Sequence, residues 1–96
     1  MNGIKDEGDF QQLAFKADLK RISRSGRYKS EDVLEVIAIL ANDEPLPERY
    51  RDHALTGEWK DFRDCHIKPD LVLIYRKPDD KHLQLVRLGS HSDLGL

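Results

Sequence analysis

The sequence has few of the features that would indicate a secreted or membrane-spanning protein. It contains one cysteine, Cys65, which excludes a disulfide within this chain. Its longest apolar stretch, residues 33–41, is interrupted by Glu35 and is shorter than the roughly 20 residues needed to cross a membrane. The N-terminal segment MNGIKDEGDF lacks the basic and apolar regions of a secretory signal. We therefore expect a cytoplasmic protein.

Length and composition favour one small folded domain. The chain has 96 residues, of which 39% are hydrophobic and 35% charged. This balance suits a single domain over residues 1–96, with enough Leu, Ile and Val for a core but only modest stability. The first ten residues are acidic and polar, so we expect residues 1–10 to be partly disordered.

Hydrophobic periodicity predicts two helices followed by a β-meander. Helical spacing over residues 14–24 and 30–42, separated by Ser25-Gly26-Arg27, predicts an antiparallel helix pair with Ser30 as the second N-cap. Strands are expected at residues 58–66, 71–75 and 83–88, with a hairpin turn at 77–81 and a further short strand near 10–13. The predicted fold is α+β, with two N-terminal antiparallel helices packed on a three- to four-stranded, mainly antiparallel sheet.

The charge distribution bears on RNA binding. A net charge of −2 argues mildly against it, because proteins that bind phosphates are usually basic. The basic residues are nevertheless concentrated between residues 11 and 29, where Asp18 is the one acid: Lys16, Lys20, Arg21, Arg24, Arg27 and Lys29. This run suits either an RNA-binding surface or an ordinary solvated helix face.

Three of the four histidines lie beside predicted strand ends. His53 is in the connector, the extended segment of residues 45–57 between the second predicted helix and the first predicted strand of the meander. His66 ends a strand and His91 follows the last strand, whereas His82 lies beside the opposite hairpin and is interpreted as a surface residue. Asp70 begins the strand after His66. Because neighbouring strand ends lie together in a meander, we expect the three histidines and Asp70 to share one edge of the sheet.

Imidazoles and a carboxylate suit proton transfer near neutral pH. RNA suits such a site because it carries its own nucleophile, the ribose 2′-hydroxyl. A base would remove the hydroxyl proton, the oxygen would attack the adjacent phosphate, and an acid would protonate the leaving 5′-oxygen. A cation must stabilise the phosphorane, and Arg87 and then Arg63 are the nearest candidates in sequence.

Other interpretations of these residues stay open at this point. The histidines could be ordinary surface residues. A zinc site is chemically possible, although its ligands lack the close pairing of common zinc motifs: His53, His66, Asp70 and His91. Asp52 and Asp64 either orient histidines or pair with arginines. Cys65 is expected in the core, and Trp59 and Phe62 are expected to pack rather than to stack on bases.

Three segments resemble the YafQ branch of the RelE-like toxin superfamily. Residues 50–59, YRDHALTGEW, resemble Y-x-D-H-x-L-x-G-x-W, and residues 63–75, RDCHIKPDLVLIY, resemble R-D-x-H-x-x-P-D-x-x-L-I-Y. Residues 87–94, RLGSHSDL, resemble the ending R-x-G-[ST]-H-x-x-L, and residues 15–21 are similar to the first helix of the family. The resemblance covers residues 13–95, and three motifs in the right order make it specific.

The resemblance implies a toxin of a bacterial toxin–antitoxin pair. Such a toxin enters the ribosomal A site and cuts mRNA there without a metal or other cofactor. Its expected partners are a cognate antitoxin, the ribosome and mRNA, with operator DNA reached only through the antitoxin and no membrane.

The resemblance also implies the site residues. The active-site positions of the family fall on His53, His66, Asp70 and His91. His91 is expected to transfer a proton, with Asp70 or a second histidine as its counterpart. The expected phosphate- and RNA-binding residues are Arg87, which would hold the scissile phosphate, Arg63, Asp64, Lys16, Lys20 and Arg21.

One departure from the family motif supports an alternative function. Gly95 stands where the family often has an aromatic residue. The alternative is a non-catalytic protein on the same fold, either a gyrase inhibitor like the ParE toxins or a degenerate toxin that only binds its antitoxin. ParE-like toxins do not need this set of histidines, so their presence favours the endoribonuclease.

Overall fold

A computed structural model of the protein describes the backbone of residues 7–96 and the side chains of residues 13–96. Its helices are α1 (Glu7–Ser25), α2 (Ser30–Ala41) and α3 (His91–Leu94). Its strands are β1 (His53–Ala54), β2 (Arg63–Lys68), β3 (Leu71–Asp79) and β4 (His82–Gly89). Short 3-10 turns occupy Glu48–Tyr50 and Gly57–Trp59.

Helix α1 begins earlier than the apolar spacing indicates. Its buried residues Phe15 and Ile22 lie on the face that contacts the sheet, and Ser25 ends it by donating from Oγ to the Ile22 carbonyl at 2.7 Å. The helix already includes Glu7 to Ala14, so the strand predicted near residues 10–13 is wrong. These residues include no proline or β-branched residue that would stop the helix from extending. Of the predicted disordered segment, residues 1–6 lie outside the described residues and residues 7–10 are helical.

Helix α2 follows its predicted bounds closely. Val33, Val36 and Leu40 are buried at helical spacing, and Asn42 is the C-cap. The N-cap is Lys29 rather than Ser30, and its side chain makes no capping hydrogen bond. The prediction of Ser30 as the cap is therefore wrong by one position, because Ser30 already belongs to the helix.

The sheet is an antiparallel meander in the order β1-β2-β3-β4. Its fourth strand is β1, which comes from the connector and pairs His53 with Asp64, not from the N-terminus as predicted. Strand β2 starts at Arg63 rather than residue 58, because Gly57–Trp59 forms a 3-10 turn and Asp61 has φ of 79°. The predicted hairpin is confirmed, with a tighter turn between Asp79 and His82.

Strand β3 is buried on both faces of the sheet. Leu71 and Leu73 pack in the main core under α1 and α2, which also contains Cys65 as predicted. Val72 and Ile74 point to the opposite face and pack in a second core of the following residues: Val86, Leu94, Leu55, Trp59 and Phe62. The predicted packing of both aromatic residues is confirmed, and their rings meet edge to face at 5.5 Å. The connector and α3 therefore cover the sheet face that the helix pair leaves open.

Candidate active site

The sheet brings three imidazole rings together. His53 opens β1, His66 lies in β2 and His91 opens α3. The ring centroids of His66 and His91 are 5.0 Å apart, and those of His53 and His66 are 6.2 Å apart. The register of β2 and β3 shifts between His66 and Lys68, an irregularity that often occurs where a strand carries a functional side chain. His82 lies at the far hairpin, where it contacts Asp79 at 2.8 Å.

Helix α3 positions His91. Ser90 Oγ accepts a hydrogen bond from the Asp93 amide at 3.0 Å, and Asp93 Oδ2 accepts one from the Ser90 amide at 3.1 Å. Gly95 ends the helix in the left-handed conformation, with φ of 71°. The sequence analysis missed this helix, although Ser90-x-x-Asp93 followed by a glycine is the pattern of a capping box and a helix stop.

Asp70 orients the His91 ring. Its Oδ1 lies 3.1 Å from the His91 amide nitrogen and 2.8 Å from Nδ1 of the ring. The hydrogen bonds from the His91 side chain and amide lower the pKa of Asp70, so it is a carboxylate at neutral pH and accepts both protons. Nε2 of His91 is left to face a substrate.

His66 lies between the other two rings and is half-buried. Burial lowers its pKa, and the charge of Asp64 opposes this, while His91, His53 and Arg51 lower the pKa further. His66 is therefore an uncharged imidazole at neutral pH, with a nitrogen lone pair that can accept a proton.

A buried carboxylate lies beneath the histidines. Asp64 is 2% exposed, and its Oδ1 lies 3.1 Å from Nε2 of His53. The contact is close but not aligned as a hydrogen bond, so Oδ1 has no hydrogen-bond donor among the described residues. Burial raises the pKa of Asp64, and His53, His66 and His91 oppose this rise.

The Arg51 carbonyl fixes the orientation of the His53 ring. Nδ1 of His53 lies 2.8 Å from this carbonyl, which can only accept, so Nδ1 is the donor. Nε2 of His53 is thereby turned towards Oδ1 of Asp64, at 3.1 Å.

Asp52 holds the connector against the sheet. Its Oδ1 accepts from the Tyr75 hydroxyl at 2.6 Å and from Arg63 Nε at 3.2 Å. Burial and the Asp52 carboxylate raise the pKa of Tyr75, which keeps the hydroxyl protonated as a donor. Arg63, predicted to contact phosphate, thus pairs with the residue that precedes His53.

Most of the other predicted phosphate-binding residues contact protein groups or lie on α1. Arg87 donates from Nε and Nη2 to Asp18 at 2.7 and 3.2 Å, and Arg21 contacts Asp18 and Asp93 at 3.4 Å. Lys16 and Lys20 are exposed on α1, and neither lysine lines the two cavities at His66 that are described next. Their roles in RNA binding stay predictions.

Two cavities meet at His66. One, of about 550 Å³, lies between β2 and α2, and the other, of about 950 Å³, extends towards His53. Arg49 and Arg51 line both cavities together with His66. The sequence analysis missed Arg51, which occupies a variable position of the first motif. The one indication in the sequence was that this cationic residue lies two positions before His53, a predicted site residue.

The described part of the chain contains neither a metal-binding cluster nor a membrane-spanning helix. Among the side chains of residues 13–96, no group of three or more His, Cys, Asp or Glu is arranged to hold a metal ion. No helix in this described range is long and apolar enough to cross a membrane.

Comparison with known proteins identifies the family. The family model for the bacterial toxin of type II toxin–antitoxin systems, YafQ, matches residues 10–95. The chain belongs to the YafQ toxin family. A Haemophilus influenzae protein assigned to the YafQ toxins is 50% identical over 66 residues, which are 66% of this chain and 65% of that protein. The Escherichia coli K12 mRNA interferase toxin YafQ is 44% identical over 70 residues, which are 71% of this chain and 75% of that protein.

Solved structures of YafQ toxins confirm the predicted α+β fold. The YafQ chain in the crystal structure of the E. coli DinJ–YafQ complex superposes with a TM-score of 0.75 at 35% identity, covering 84% of this chain and 89% of that chain. The predicted family resemblance is thus confirmed over nearly the whole domain.

Proposed function

We propose that this YafQ-family toxin is an mRNA endoribonuclease that uses the RNA 2′-hydroxyl as its nucleophile. The observation behind the proposal is the pair of rings 5.0 Å apart, His66 and His91, which lie in opposite electrostatic environments. One ring favours the neutral form, and the other is hydrogen-bonded to a carboxylate. The name of the E. coli relative, an mRNA interferase toxin, agrees with this chemistry.

His66 acts as the general base and His91 as the general acid. His66 accepts the proton of the 2′-hydroxyl while the new O2′–P bond forms. His91, which is oriented by the Asp70 carboxylate and must be protonated for this step, donates its Nε2 proton to the leaving 5′-oxygen as the P–O5′ bond breaks. The products are a 2′,3′-cyclic phosphate and a free 5′-hydroxyl, and no electrons are exchanged with a cofactor. Asp70 is a positioning residue, because its lowered pKa makes it a poor proton carrier at neutral pH.

His53 and Asp64 support this pair from one side. Asp64 contacts Nε2 of His53 at 3.1 Å from its buried position. This contact holds the His53 ring beside His66, where the phosphorane develops.

The cellular context is also proposed. Cleavage takes place on mRNA in the A site of the ribosome, and therefore in the cytoplasm. A cognate antitoxin holds the toxin inactive, as the solved DinJ–YafQ complex suggests by analogy. Control over a small, potentially lethal domain calls for an interface at least of standard size, about 1,600 Å² in total. Operator DNA is reached only through the antitoxin.

A ribosome-programmed cleavage assay tests the proposal. His91→Ala and His66→Ala should each lower the cleavage rate by about 100-fold or more, because each removes one proton-transfer group. His82→Ala is the matched control, since it removes an exposed imidazole at the far hairpin and should leave the rate unchanged. Full activity of a folded His91→Ala protein would contradict the proposal. Inhibition of DNA supercoiling by the wild type without mRNA cleavage would favour the ParE-like alternative.

A further inference from the structure

We infer that Arg51 is the cation that holds the phosphodiester undergoing cleavage, an inference that rests on the proposed endoribonuclease function. The role requires a guanidinium beside the histidines that is engaged neither by a carboxylate nor by the ring or hydroxyl of an aromatic residue.

The other cations that line these two cavities have partners, as does Arg63. Arg63 contacts Asp52 at 3.2 Å, and Lys68 contacts Asp32 at 3.4 Å. Arg49 lies over the Tyr50 ring at 4.7 Å and donates to the Tyr50 hydroxyl at 3.1 Å. In the described part of the chain, the Arg51 side chain has neither an ion pair nor a hydrogen bond, and it is exposed to solvent. It is thus available to an incoming anion.

Arg51 lies beside the proposed base. It lines both cavities that meet at His66, and one of them also contains His53. Its charge contributes to the lowered pKa of His66, which places the guanidinium within electrostatic reach of that ring. A phosphate bound between Arg51 and His66 would therefore lie next to the group that activates the 2′-hydroxyl.

The backbone presets the position of Arg51. The residue has φ of 50° and ψ of 43°, a left-handed conformation that is uncommon for a residue other than glycine. Its amide donates to the Glu48 carbonyl at 2.9 Å, and its own carbonyl accepts from Nδ1 of His53. Strained residues of this kind persist where the surrounding structure overdetermines them, and they concentrate at functional sites. The hydrogen bond from Nδ1 of His53 to the Arg51 carbonyl links the orientation of the His53 ring to the backbone of Arg51.

The carboxylates around the two cavities leave the charge of Arg51 available to bind phosphate. Asp52 already accepts from Arg63 and Tyr75 and so has its charge offset. Glu48 lines the cavity shared with His53. The smaller cavity is lined by more cations than carboxylates, which favours the approach of phosphate from that side: Arg49, Arg51 and Lys68 against Asp32 and Glu35. Arginine suits this task because its planar guanidinium donates two parallel hydrogen bonds to phosphate oxygens.

Kinetics of two variants and one control test the inference. Arg51→Gln should lower kcat for ribosome-programmed mRNA cleavage by about 100-fold, the effect of losing one donor to a developing oxyanion. Arg51→Lys should recover part of kcat, because it restores the charge without the bidentate geometry. The control Arg76→Gln removes an equal charge from a guanidinium that lies over Phe62, outside both cavities, and should leave kcat within about twofold. Unchanged kcat in Arg51→Gln, or a rise in KM alone, would overturn the inference.

Phosphate binding gives a second readout that does not need cleavage. Inorganic phosphate, titrated at constant ionic strength, should shift the His66 ring resonances of the wild type saturably, and this shift should be lost in Arg51→Gln but kept in Arg76→Gln. An equal saturable shift in wild type and Arg51→Gln, or none in wild type, would overturn the assignment of Arg51. If the wild type does not cleave mRNA, the proposed function fails, whereas the phosphate titration still decides whether Arg51 binds the anion.

Discussion

Substitution of Asp18 by alanine should destabilise the fold more than loss of any exposed ion pair. Asp18 is 6% exposed on α1 and accepts two hydrogen bonds from Arg87, at 2.7 and 3.2 Å. It also accepts the Leu88 amide of the edge strand β4 at 2.9 Å. Asp18→Ala therefore removes one carboxylate and leaves a guanidinium and an edge-strand amide without their acceptor.

The expected magnitude follows from these three hydrogen bonds. A hydrogen bond to a charged group contributes about 1.5–3 kcal/mol, but the Arg87 side chain is 35% exposed and can regain water. A net loss of about 3 kcal/mol in the free energy of unfolding results, in the range seen when one partner of a buried pair is removed. In a domain of this size, a change of about 3 kcal/mol lowers the melting temperature by about 12–24 °C.

Urea and thermal unfolding of Asp18→Ala, Arg87→Ala and the double variant measure this effect as a double-mutant cycle. Lys77→Ala is the control, because the contact of Lys77 with Asp43 at 2.7 Å is mainly exposed and should contribute less than about 1 kcal/mol. A loss below about 1 kcal/mol in Asp18→Ala, or strictly additive effects of the two variants, would refute the reasoning.

Three further predictions follow from the site. Gly89→Ala should lower the free energy of unfolding by about 1–2 kcal/mol and slow mRNA cleavage. The added Cβ would lie 3.0 Å from Asp93 Oδ2 and 3.1 Å from Asp93 Cβ, and would displace α3, the helix that carries His91. Thermal unfolding and the cleavage assay measure the two effects. Burial raises the pKa of Asp64, so ionisation of this carboxyl destabilises the folded wild type as the pH rises above about 4. Asp64→Asn should therefore gain thermal stability over the wild type as the pH rises, while it loses cleavage activity. An equal difference in melting temperature between the two proteins at pH 4 and pH 7 would count against this prediction. Because burial lowers the pKa of His66, the acidic limb of the pH–rate profile should lie below about pH 6.5, the ordinary value for histidine. An acidic limb centred above that value would contradict a base role for this ring.

The local pattern of apolar residues was sufficient to predict the helices and strands that bury a face in the core. The helical spacing of Phe15 and Ile22, and the apolar run from Leu71 to Tyr75, correspond to buried residues of α1 and β3. The prediction erred where the local apolar pattern did not distinguish one conformation from another. Residues 7–14 extend α1 before its predicted start, and residues 57–59 form a turn whose tryptophan packs on the second face of the sheet.

The sequence by itself determined the fold class, the family and the positions of His53, His66, Asp70 and His91, because meander topology and three spaced motifs are local properties of the chain. The tertiary structure alone decided which cations remain available and which carboxylates contact the histidines. Arg87 and Arg63, the cations favoured by position in sequence, pair with Asp18 and Asp52, residues 69 and 11 positions away. The charge environments of the histidines likewise depend on burial and on carboxylates supplied by other elements, and such long-range contacts exist only after the chain has folded.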